Sequence, residues 1–505
     1  MDLQLLLDLA AAYDPTRVVV VDSAGVALTT GRLRELASVA AATFRATGAS
    51  HVAYLGPNAA SFPVALLGAG MAGLPFVPLN YRLADAQLAQ VIGDHDLVAV
   101  AAGDHAARLV ALGVPGVLDP SRLLDPEPAS PGVTAVIPPV DPDDIALLLY
   151  TSGTTAAPKA AVLRHRHLAA YVIGTVELGA SPPTDAVLVS VPPYHVAGVM
   201  NLLSNLYSGR RIVYLDAFDP EGWLDLVRAA EVTHAMVVPT MLARVVAVLG
   251  DEPADTPSLR SLSYGGAKMP APVIERALRL FPDVAFTNAY GLTETSSTIT
   301  VLDPEDHRAA LAADDPAVRV RLHSAGRPLP GIEIEVRDDA GRPCAPGVVG
   351  EIHVRGEHVA GEYLGAGSLA DGWFATRDLG RLDEAGYLFV EGRSDDTIIR
   401  GGENIAPAEV EDVLLRHEAG ADCAVVGIDD EEWGQRIAAA VVLVPDTLVG
   451  PDELRSFARS RLRGSKTPDI VEVVDELPYT DTGKLLRRTV RERLGAQVPS
   501  RSTVR

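Results

Sequence analysis

Short runs of β-branched and other apolar residues alternate with helix-like patterns between Val18 and about Pro330. This alternation is typical of parallel sheets whose two faces are covered by helices. We therefore expect an α/β fold in which stacked parallel or mixed sheets and helices form a large N-terminal domain. The predicted strands are Val52 to Leu55, Leu97 to Ala101, Ile145 to Tyr150, Ala186 to Val191, Arg211 to Leu215, His234 to Val238 and Ser261 to Tyr264.

The pattern changes between residues 331 and 390. Apolar and polar residues alternate from Ile332 to Val336 and again from Glu351 to Val354, with a turn signal at Asp338 to Gly341 between them. Alternation of this kind indicates strands with one covered face, and a short turn joins such strands in antiparallel fashion. We predict a small, β-barrel-like element in this region.

The chain becomes rich in charged residues and glycine after Arg393. We place a domain boundary at residues 393 to 396. It divides an N-terminal domain, residues 1–393, from a small mobile α+β lid domain, residues 394–505.

Two helices of the lid are predicted to begin near Pro407 and Pro451, because proline is favoured in the first helical turn. Gly420 is expected to cap the end of the first helix. Strands are predicted from Ala424 to Ile428 and from Ala438 to Val444.

The N-terminus carries acidic residues within an apolar run and lacks a basic segment, so it is predicted to be an amphipathic helix rather than a signal peptide. The most apolar stretch, Val64 to Leu79, contains several glycines and prolines and is too short to span a bilayer. We interpret it as a core helix followed by a strand. We therefore expect a cytoplasmic protein without a membrane span.

The length, net charge and cysteine content of the chain limit the number of domains and the classes of ligand that we expect. A chain of 505 residues exceeds what one core usually holds, so two or three domains are expected. The net charge of -23 argues against binding to nucleic acid or anionic lipid, and it leaves small anionic ligands to local positive sites. Cys344 and Cys423 lie far apart and lack metal-ligand spacing, so neither a disulfide framework nor a zinc site is indicated.

The segment from Tyr150 to Lys159 follows a predicted buried strand and contains Ser and Thr hydroxyls, one glycine and a lysine. Hydroxyls and backbone N–H groups can surround a phosphate, and a lysine adds a positive charge. The segment is not a P-loop, because Gly153 stands alone and no helix begins at the lysine. Phosphate binding and an ordinary polar loop are both open on this segment alone.

A second segment, Asn288 to Thr295, combines an aromatic ring, a glycine, hydroxyls and a carboxylate. Tyr290 could stack on a purine, Thr293 could bind a phosphate oxygen and Glu294 could hold Mg²⁺. These groups suit a nucleotide. The alternative is an ordinary strand-to-helix turn with a threonine cap.

Eight segments in order make the chain resemble the adenylate-forming superfamily, which contains acyl-CoA and aryl-CoA ligases, luciferases and stand-alone adenylation domains. The resemblance covers nearly the whole length and is strongest to the small aryl-CoA and acyl-CoA ligases, a group that includes 4-chlorobenzoate-CoA ligase. The segments are Tyr150 to Lys159, Val191 to Gly198, Tyr264 to Ala267, Tyr290 to Glu294, Gly372 to Leu379, Gly392 to Asp396, Arg400 to Glu411 and Pro478 to Lys484.

The resemblance implies an ATP-dependent carboxylic acid–CoA ligase that uses ATP, Mg²⁺ and coenzyme A. A carboxylate and ATP would give acyl-AMP and pyrophosphate, and CoA would then displace AMP. The implied substrate is a small aryl, alicyclic or short- to medium-chain acid, and the assembly a monomer or homodimer. Two alternatives remain: an adenylating enzyme that passes the acyl group to an acyl carrier protein or a nitrogen nucleophile, and a non-catalytic nucleotide-binding protein.

The same resemblance assigns the nucleotide site, with Asp378 and Arg393 at the ribose hydroxyls and Glu294 and Thr155 at Mg²⁺. A plain ion pair between Asp378 and Arg393 at the domain junction is the alternative. The phosphate residues are Thr151, Ser152, Gly153, Thr154, Thr155 and Lys159. The residues around the adenine are Gly266, Ala267, Asn288 and Tyr290, and Gly291 is a further cofactor-binding residue.

The implied catalytic residues are Lys484, Glu294, Thr293 and His195. Lys484 would bridge the acyl carboxylate and the α-phosphate, because a cation offsets the repulsion between two anions that must meet. His195 would lie between the acyl pocket and the thiol tunnel. A histidine there argues against an α-amino acid substrate, since adenylation domains for amino acids usually carry an aspartate at this position.

In the lid, the resemblance makes Asp395 the hinge and brings Gly401 and Gly402 close to the pantetheine arm of CoA, where a side chain would obstruct the tunnel. Trp433 would lie near the same arm, although an ordinary core or surface tryptophan is the alternative. Arg463 and Lys466 are candidates for binding the CoA 3′-phosphate.

Two departures from the family pattern occur in the phosphate loop, where Ala156 and Ala160 replace glycines. Because alanine disfavours positive φ, we expect a stiffer loop and altered catalytic efficiency. The expected acyl pocket has no obvious cation for a second carboxylate. Its walls are small and apolar: Val196, Ala197, Gly198, Val238, Pro239, Ala289, Gly291 and Leu292.

Overall fold

The structure, a computed structural model, describes residues 1–93, 95–126, 139–151, 159–365, 369, 371–400, 403–430, 433–445, 447–480 and 485–496. Its helices in chain order are α1 Leu3–Tyr13, α2 Thr30–Thr47, α3 Ser61–Ala72, α4 Asp85–Ile92, α5 Gly103–Ala111, α6 Ser121–Leu124, α7 His165–Thr175, α8 Val196–Ser208, α9 Pro220–Ala229, α10 Pro239–Leu249, α11 Ala271–Leu280, α12 Pro304–Ala312, α13 Pro316–Arg319, α14 Pro407–Leu414, α15 Pro451–Arg459 and α16 Arg487–Ala496. Short 3₁₀ turns cover Thr293–Thr295, Val320–His323, Ser394–Asp396 and Gly464–Lys466.

The strands are β1 Val18–Val21, β2 Ala27–Thr29, β3 His51–Tyr54, β4 Phe76–Pro78, β5 Leu97–Val100, β6 Gly116–Leu118, β7 Ile145–Thr151, β8 Lys159–Arg164, β9 Ala186–Val189, β10 Arg211–Tyr214, β11 His234–Val237, β12 Ser261–Gly265, β13 Ala285–Leu292, β14 Ser297–Leu302, β15 Arg327–Pro328, β16 Glu333–Arg337, β17 Gly350–Arg355, β18 Phe374–Leu382, β19 Leu388–Arg393, β20 Ile398–Arg400, β21 Glu403–Ile405, β22 Gly420–Asp430, β23 Gly434–Leu443 and β24 Ile470–Val474. Each of the seven strands predicted for the N-terminal part is present, with ends that agree within two residues.

Two large mixed sheets form the N-terminal part. Their strand orders are β6-β5-β3-β4-β7-β8 and β15-β14-β13-β12-β11-β9-β10-β1-β2. Strands pair in parallel through most of each sheet, and the antiparallel pairs β7–β8, β1–β2, β13–β14 and β14–β15 lie towards the edges. Helix α3 is buried along its whole length in the largest apolar core, as expected for a helix that is apolar on all sides. The predicted α/β architecture is confirmed.

The predicted small antiparallel element is a four-stranded meander, β16-β17-β18-β19. Its strands pair in chain order and all pairs are antiparallel. Val336, Ile352 and Leu388 lie on its buried face, which explains the apolar–polar alternation in the sequence. This meander places β18 and β19 beside the nine-stranded sheet.

The C-terminal part contains a hairpin, β20–β21, and a three-stranded sheet, β22-β23-β24. The 3₁₀ turn Ser394–Asp396 separates β19 of the meander from β20 of the hairpin. The sheet break therefore falls where the sequence places the domain boundary. The domain limits 1–393 and 394–505 remain a prediction.

The first lid helix ends earlier than the sequence predicts. Helix α14 stops at Leu414, and Gly420 begins strand β22, so Gly420 does not cap the helix. A Cβ at Gly420 would lie 2.8 Å from the carbonyl oxygen of Leu414. The glycine is therefore explained by a close backbone approach between helix end and strand start, not by helix capping.

Among the helices in the described ranges, none combines the length and the apolar character needed to cross a bilayer.

Candidate active site

The predicted nucleotide residues meet where parallel strands of the nine-stranded sheet end. Strands β12 and β13 run side by side with Tyr264 opposite Asn288, and Gly266 and Ala267 follow β12 as exposed residues. Asn288 Nδ2 donates a hydrogen bond to the Ser324 carbonyl at 2.9 Å. Ligands of open α/β sheets bind beyond the carboxyl ends of the strands, so this edge suits a nucleotide base.

The predicted ribose residues lie together on the meander. Asp378 of β18 faces Arg393 of β19 in the strand register, and Arg393 Nε lies 3.4 Å from Asp378 Oδ1. Tyr290 Oη donates to the other carboxylate oxygen, Asp378 Oδ2, at 2.7 Å. Burial and the nearby Asp378 charge raise the pKa of Tyr290 well above its usual value, so the phenol keeps its proton. The Asp378–Arg393 ion pair expected as the alternative is therefore present. The Asp378 carboxylate, held between Arg393 and Tyr290, is also suited to accept hydrogen bonds from the two ribose hydroxyls.

Glu294 is buried, 8% exposed, in the turn Thr293–Thr295, and Thr293 beside it is half-buried. The backbone N–H groups of Ala360 and Gly361 both donate to the Glu294 carbonyl at 2.9 Å. Tyr363 Oη donates to Glu294 Oε1, while Oε2 has no hydrogen-bond partner among the described residues. The turn is thus fixed from one side and presents one carboxylate oxygen to a ligand.

A close approach of strands β13 and β14 requires glycine at position 291. A Cβ there would lie 1.7 Å from the Ser297 carbonyl oxygen. Gly291 therefore allows the strand that carries Asn288 and Tyr290 to continue directly into the Glu294 turn.

Tyr363 connects Glu294 to the end of the predicted phosphate segment. Leu364 N–H donates to the Ala160 carbonyl at 2.9 Å, and Lys159 Nζ lies 6.0 Å from the Tyr363 ring centroid. Burial, followed by the charge of Glu294, raises the pKa of the Tyr363 phenol. Tyr363 could not be predicted from the sequence, because it contacts a residue 69 positions away and no local motif marks it.

Glu294 fits the predicted magnesium site. Mg²⁺ is usually held by one or two carboxylates together with substrate phosphates and water. No group of three His, Cys, Asp or Glu residues that could hold a metal by themselves occurs in the described ranges. The single buried carboxylate of Glu294 is consistent with a site in which substrate phosphates and water supply the other Mg²⁺ ligands.

His195 lies at the start of helix α8, next to Tyr194, with ring centroids 4.5 Å apart. Tyr81 packs edge-on against Tyr194 at 5.3 Å. His195 Nε2 is buried without a hydrogen-bond partner in the described part of the chain. Burial, followed by the charge of Arg82, lowers the pKa of His195 to about 4, so its imidazole is neutral at neutral pH. Arg82, whose guanidinium carbon lies 5.6 Å from the Tyr81 ring centroid, is a cation beside these rings that no sequence motif marks.

Several predicted residues lie outside the described ranges. They are Ser152, Gly153, Thr154, Thr155, Ala156, Gly401, Gly402 and Lys484, together with the side chain of Thr151. The chain on both sides of Lys484 is described: Tyr479 and Leu485 form an antiparallel bridge, and Tyr479 Oη donates to both Asp422 carboxylate oxygens at 3.0 and 2.9 Å. The described chain on either side of residues 481–484 is therefore anchored to the lid sheet through Tyr479.

The remaining lid candidates have these positions. Asp395 is exposed in the turn Ser394–Asp396. Trp433 is 47% exposed, with the Arg400 guanidinium 5.7 Å from its ring centroid. Lys466 Nζ lies 2.7 Å from Glu409 Oε2, whereas Arg463 is exposed and forms no ion pair with a described residue. Arg463 is therefore the better candidate for binding the CoA 3′-phosphate, because the charge of Lys466 is already paired with Glu409.

Comparison with known proteins agrees with this geometry. The family model of AMP-binding enzymes matches residues 7–364, and the model of the AMP-binding enzyme C-terminal domain matches residues 409–484. Feruloyl-CoA synthase of Amycolatopsis sp is 37% identical over 93% of this chain and 95% of its own length. A fatty acid–[acyl-carrier-protein] ligase, ScoC of Streptomyces coeruleorubidus, is 33% identical over 96% of this chain and 94% of its own.

A solved structure of o-succinylbenzoate CoA synthetase from Bacillus subtilis, in complex with its acyl-adenylate intermediate, superimposes with a TM-score of 0.82 at 29% identity. It covers 96% of this chain and 97% of that one. The chain belongs to the AMP-binding enzyme family. Within that family it is an ATP-dependent acid–CoA ligase, which forms an acyl-adenylate and then a thioester and uses ATP, Mg²⁺ and CoA.

Proposed function

We propose that the acid activated by this ligase is aromatic. The observation that carries the proposal is the group of packed rings at the start of α8, formed by Tyr81, Tyr194 and His195. Packed aromatic rings favour an aromatic partner through edge-to-face and offset contacts. A neutral His195 with an unused nitrogen adds one hydrogen-bonding group. The relatives named for ferulate and o-succinylbenzoate support the same class.

We also propose the division of roles among the residues. Glu294 holds Mg²⁺ together with the phosphates of ATP, Lys159 contacts those phosphates, and Asp378 accepts hydrogen bonds from the ribose hydroxyls. Lys484 is the cation between the carboxylate and the α-phosphate. An acyl carrier protein is a second candidate acceptor beside CoA, because the relative ScoC is named as an acyl-carrier-protein ligase.

The proposal is tested by measuring pyrophosphate release over a panel of aromatic, alicyclic and short- to medium-chain acids, with and without CoA, and by identifying the products by mass spectrometry. We expect aromatic acids to give the highest kcat/KM and to yield the acyl-CoA. Turnover confined to aliphatic acids would refute the aromatic assignment. Release without a thioester would refute CoA as acceptor, and no release with any acid would count against the ligase.

The ribose role of Asp378 gives a separate prediction. Replacing Asp378 by asparagine should raise the KM for ATP about 10-fold, because the amide has one acceptor oxygen where the carboxylate has two. The matched measurement uses an ATP analogue without the two ribose hydroxyls. With that analogue, wild type and variant should have similar KM values. An equal increase with both nucleotides would instead support a purely structural Asp378–Arg393 ion pair.

A further inference from the structure

Strand β18 is distorted immediately before Asp378. In its pairing with β17, Glu351 faces Leu379 and His353 faces Ala375, so Ile352 alone faces the three residues Thr376 to Asp378. Arg377, at the middle of this bulge, has φ +61. A left-handed backbone is unfavourable for a residue with a Cβ, and glycine would adopt it without that cost. An arginine therefore occupies a position where the backbone geometry alone favours glycine.

The residues on both sides hold Arg377 in this conformation. Thr376 is buried, and its Oγ1 donates to the Ile352 carbonyl at 2.8 Å and accepts from Asp378 N–H at 3.1 Å. Asp378 is buried as well and bonds Tyr290. Backbone strain that the surroundings impose is common at functional sites. Of the four non-glycine residues with positive φ in the described ranges, Ser296, Ser297 and Arg377 lie at the candidate active site and Glu231 lies elsewhere.

The Arg377 side chain is exposed and forms no ion pair with a residue in the described part of the chain. Its charge acts on Tyr363, since both Arg377 and Arg393 lower the pKa of that phenol against the larger raising effect of burial and Glu294. Lys159 approaches the same ring from strand β8. Tyr363, which bonds Glu294, is therefore within electrostatic reach of Arg377 and Arg393 and lies 6.0 Å from Lys159 Nζ, at the end of the phosphate segment.

We propose that Arg377 binds the polyphosphate of ATP and the pyrophosphate that leaves from it. Arg377 thereby sets the affinity of the enzyme for ATP and for pyrophosphate in the first half-reaction. A guanidinium forms paired charge-assisted hydrogen bonds with phosphate oxygens, which a glycine at this bulge cannot supply. This inference rests on the proposed function, because it concerns the same nucleotide site. CoA also carries phosphates, so the experiment must separate the two sources.

Arg377→Gly and Arg377→Lys are compared with wild type in ATP–pyrophosphate exchange and in thioester formation. In Arg377→Gly we expect the KM for ATP and for pyrophosphate to rise about 10-fold, as for a lost charge-assisted contact, while the KM for CoA is unchanged. The Tm should rise, because glycine removes the cost of the left-handed backbone. Arg377→Lys should retain part of the affinity without the gain in Tm. An arginine with only a structural role would not combine higher Tm with weaker ATP binding.

Arg342→Ala is the matched control, since Arg342 is an exposed arginine that pairs with Asp338 in the turn between β16 and β17. Its KM values for both nucleotide and CoA should equal those of wild type. A KM for ATP and pyrophosphate within about twofold of wild type in Arg377→Gly would overturn the proposal. A rise only in the KM for CoA would overturn it too and would assign Arg377 to the CoA phosphates. Calorimetric titration with MgATP measures the same contact without turnover, so this inference is tested even if the enzyme shows no ligase activity.

Discussion

Replacing Lys484 by alanine is expected to lower the rate of acyl-adenylate formation about 10³-fold, the upper end of the range for losing one hydrogen-bond donor that stabilises a transition state. The physical reason is that a carboxylate must attack an α-phosphate that is itself negative, and a compact ammonium offsets this repulsion. Transfer of the acyl group from a preformed acyl-adenylate to CoA joins no two anions in this way. That second step should therefore stay within a few-fold of wild type. The two steps are measured separately, by pyrophosphate exchange and by thioester formation from synthetic acyl-adenylate.

The lid offers a close control for this prediction. Arg488 lies four residues further along the chain, is 81% exposed at its side chain, and pairs with Glu492 at 2.9 Å. Arg488→Ala removes a neighbouring positive charge, and both half-reactions should be unaffected. If Lys484→Ala slowed both half-reactions equally, the lysine would act through the fold of the lid, and its assignment to the adenylation step would be wrong.

Local sequence patterns predicted the strands well because each strand is determined mainly by its own residues. The run Arg211 to Leu215 is an example, since four adjacent apolar or β-branched positions make a strand wherever the sheet is covered on both faces. Gly420 shows where such reasoning fails. Glycine after a helix commonly caps it, but here the close carbonyl of Leu414 explains the glycine, and that distance depends on the tertiary path of the chain.

The residues of the candidate site also fall into two groups, those that a local sequence motif marks and those that only the tertiary structure reveals. Asp378, Arg393, Glu294 and Tyr290 are predicted as site residues because each lies in a compact motif, and the structure brings Asp378, Arg393 and Tyr290 into contact. Tyr363 and Arg377 were missed. The significance of Tyr363 comes from its contact with Glu294, and that of Arg377 from a backbone dihedral angle inside a bulge. Neither property is expressed in hydrophobic periodicity or in residue spacing, so neither residue could be predicted from the sequence.

The second large effect is expected from Glu294→Gln. Glutamine has the same shape and can still accept the hydrogen bond from Tyr363, so the turn Thr293–Thr295 should keep its structure, which the backbone bonds from Ala360 and Gly361 also support. It lacks the negative charge that Mg²⁺ requires. We expect the adenylation rate to fall about 10²-fold and the Mg²⁺ concentration for half-maximal rate to increase. Both are measured by pyrophosphate exchange over a titration of Mg²⁺.

Tyr363→Phe separates the charge of Glu294 from its orientation. This variant keeps the carboxylate and removes only the hydroxyl that bonds Oε1, so Mg²⁺ dependence should remain near that of wild type with a rate loss of at most about 10-fold. If Glu294→Gln instead kept the wild-type Mg²⁺ dependence, the carboxylate would not be the metal ligand. The importance of position 294 would then rest on its backbone carbonyl, which joins the strand that carries Tyr290 to the segment that carries Tyr363.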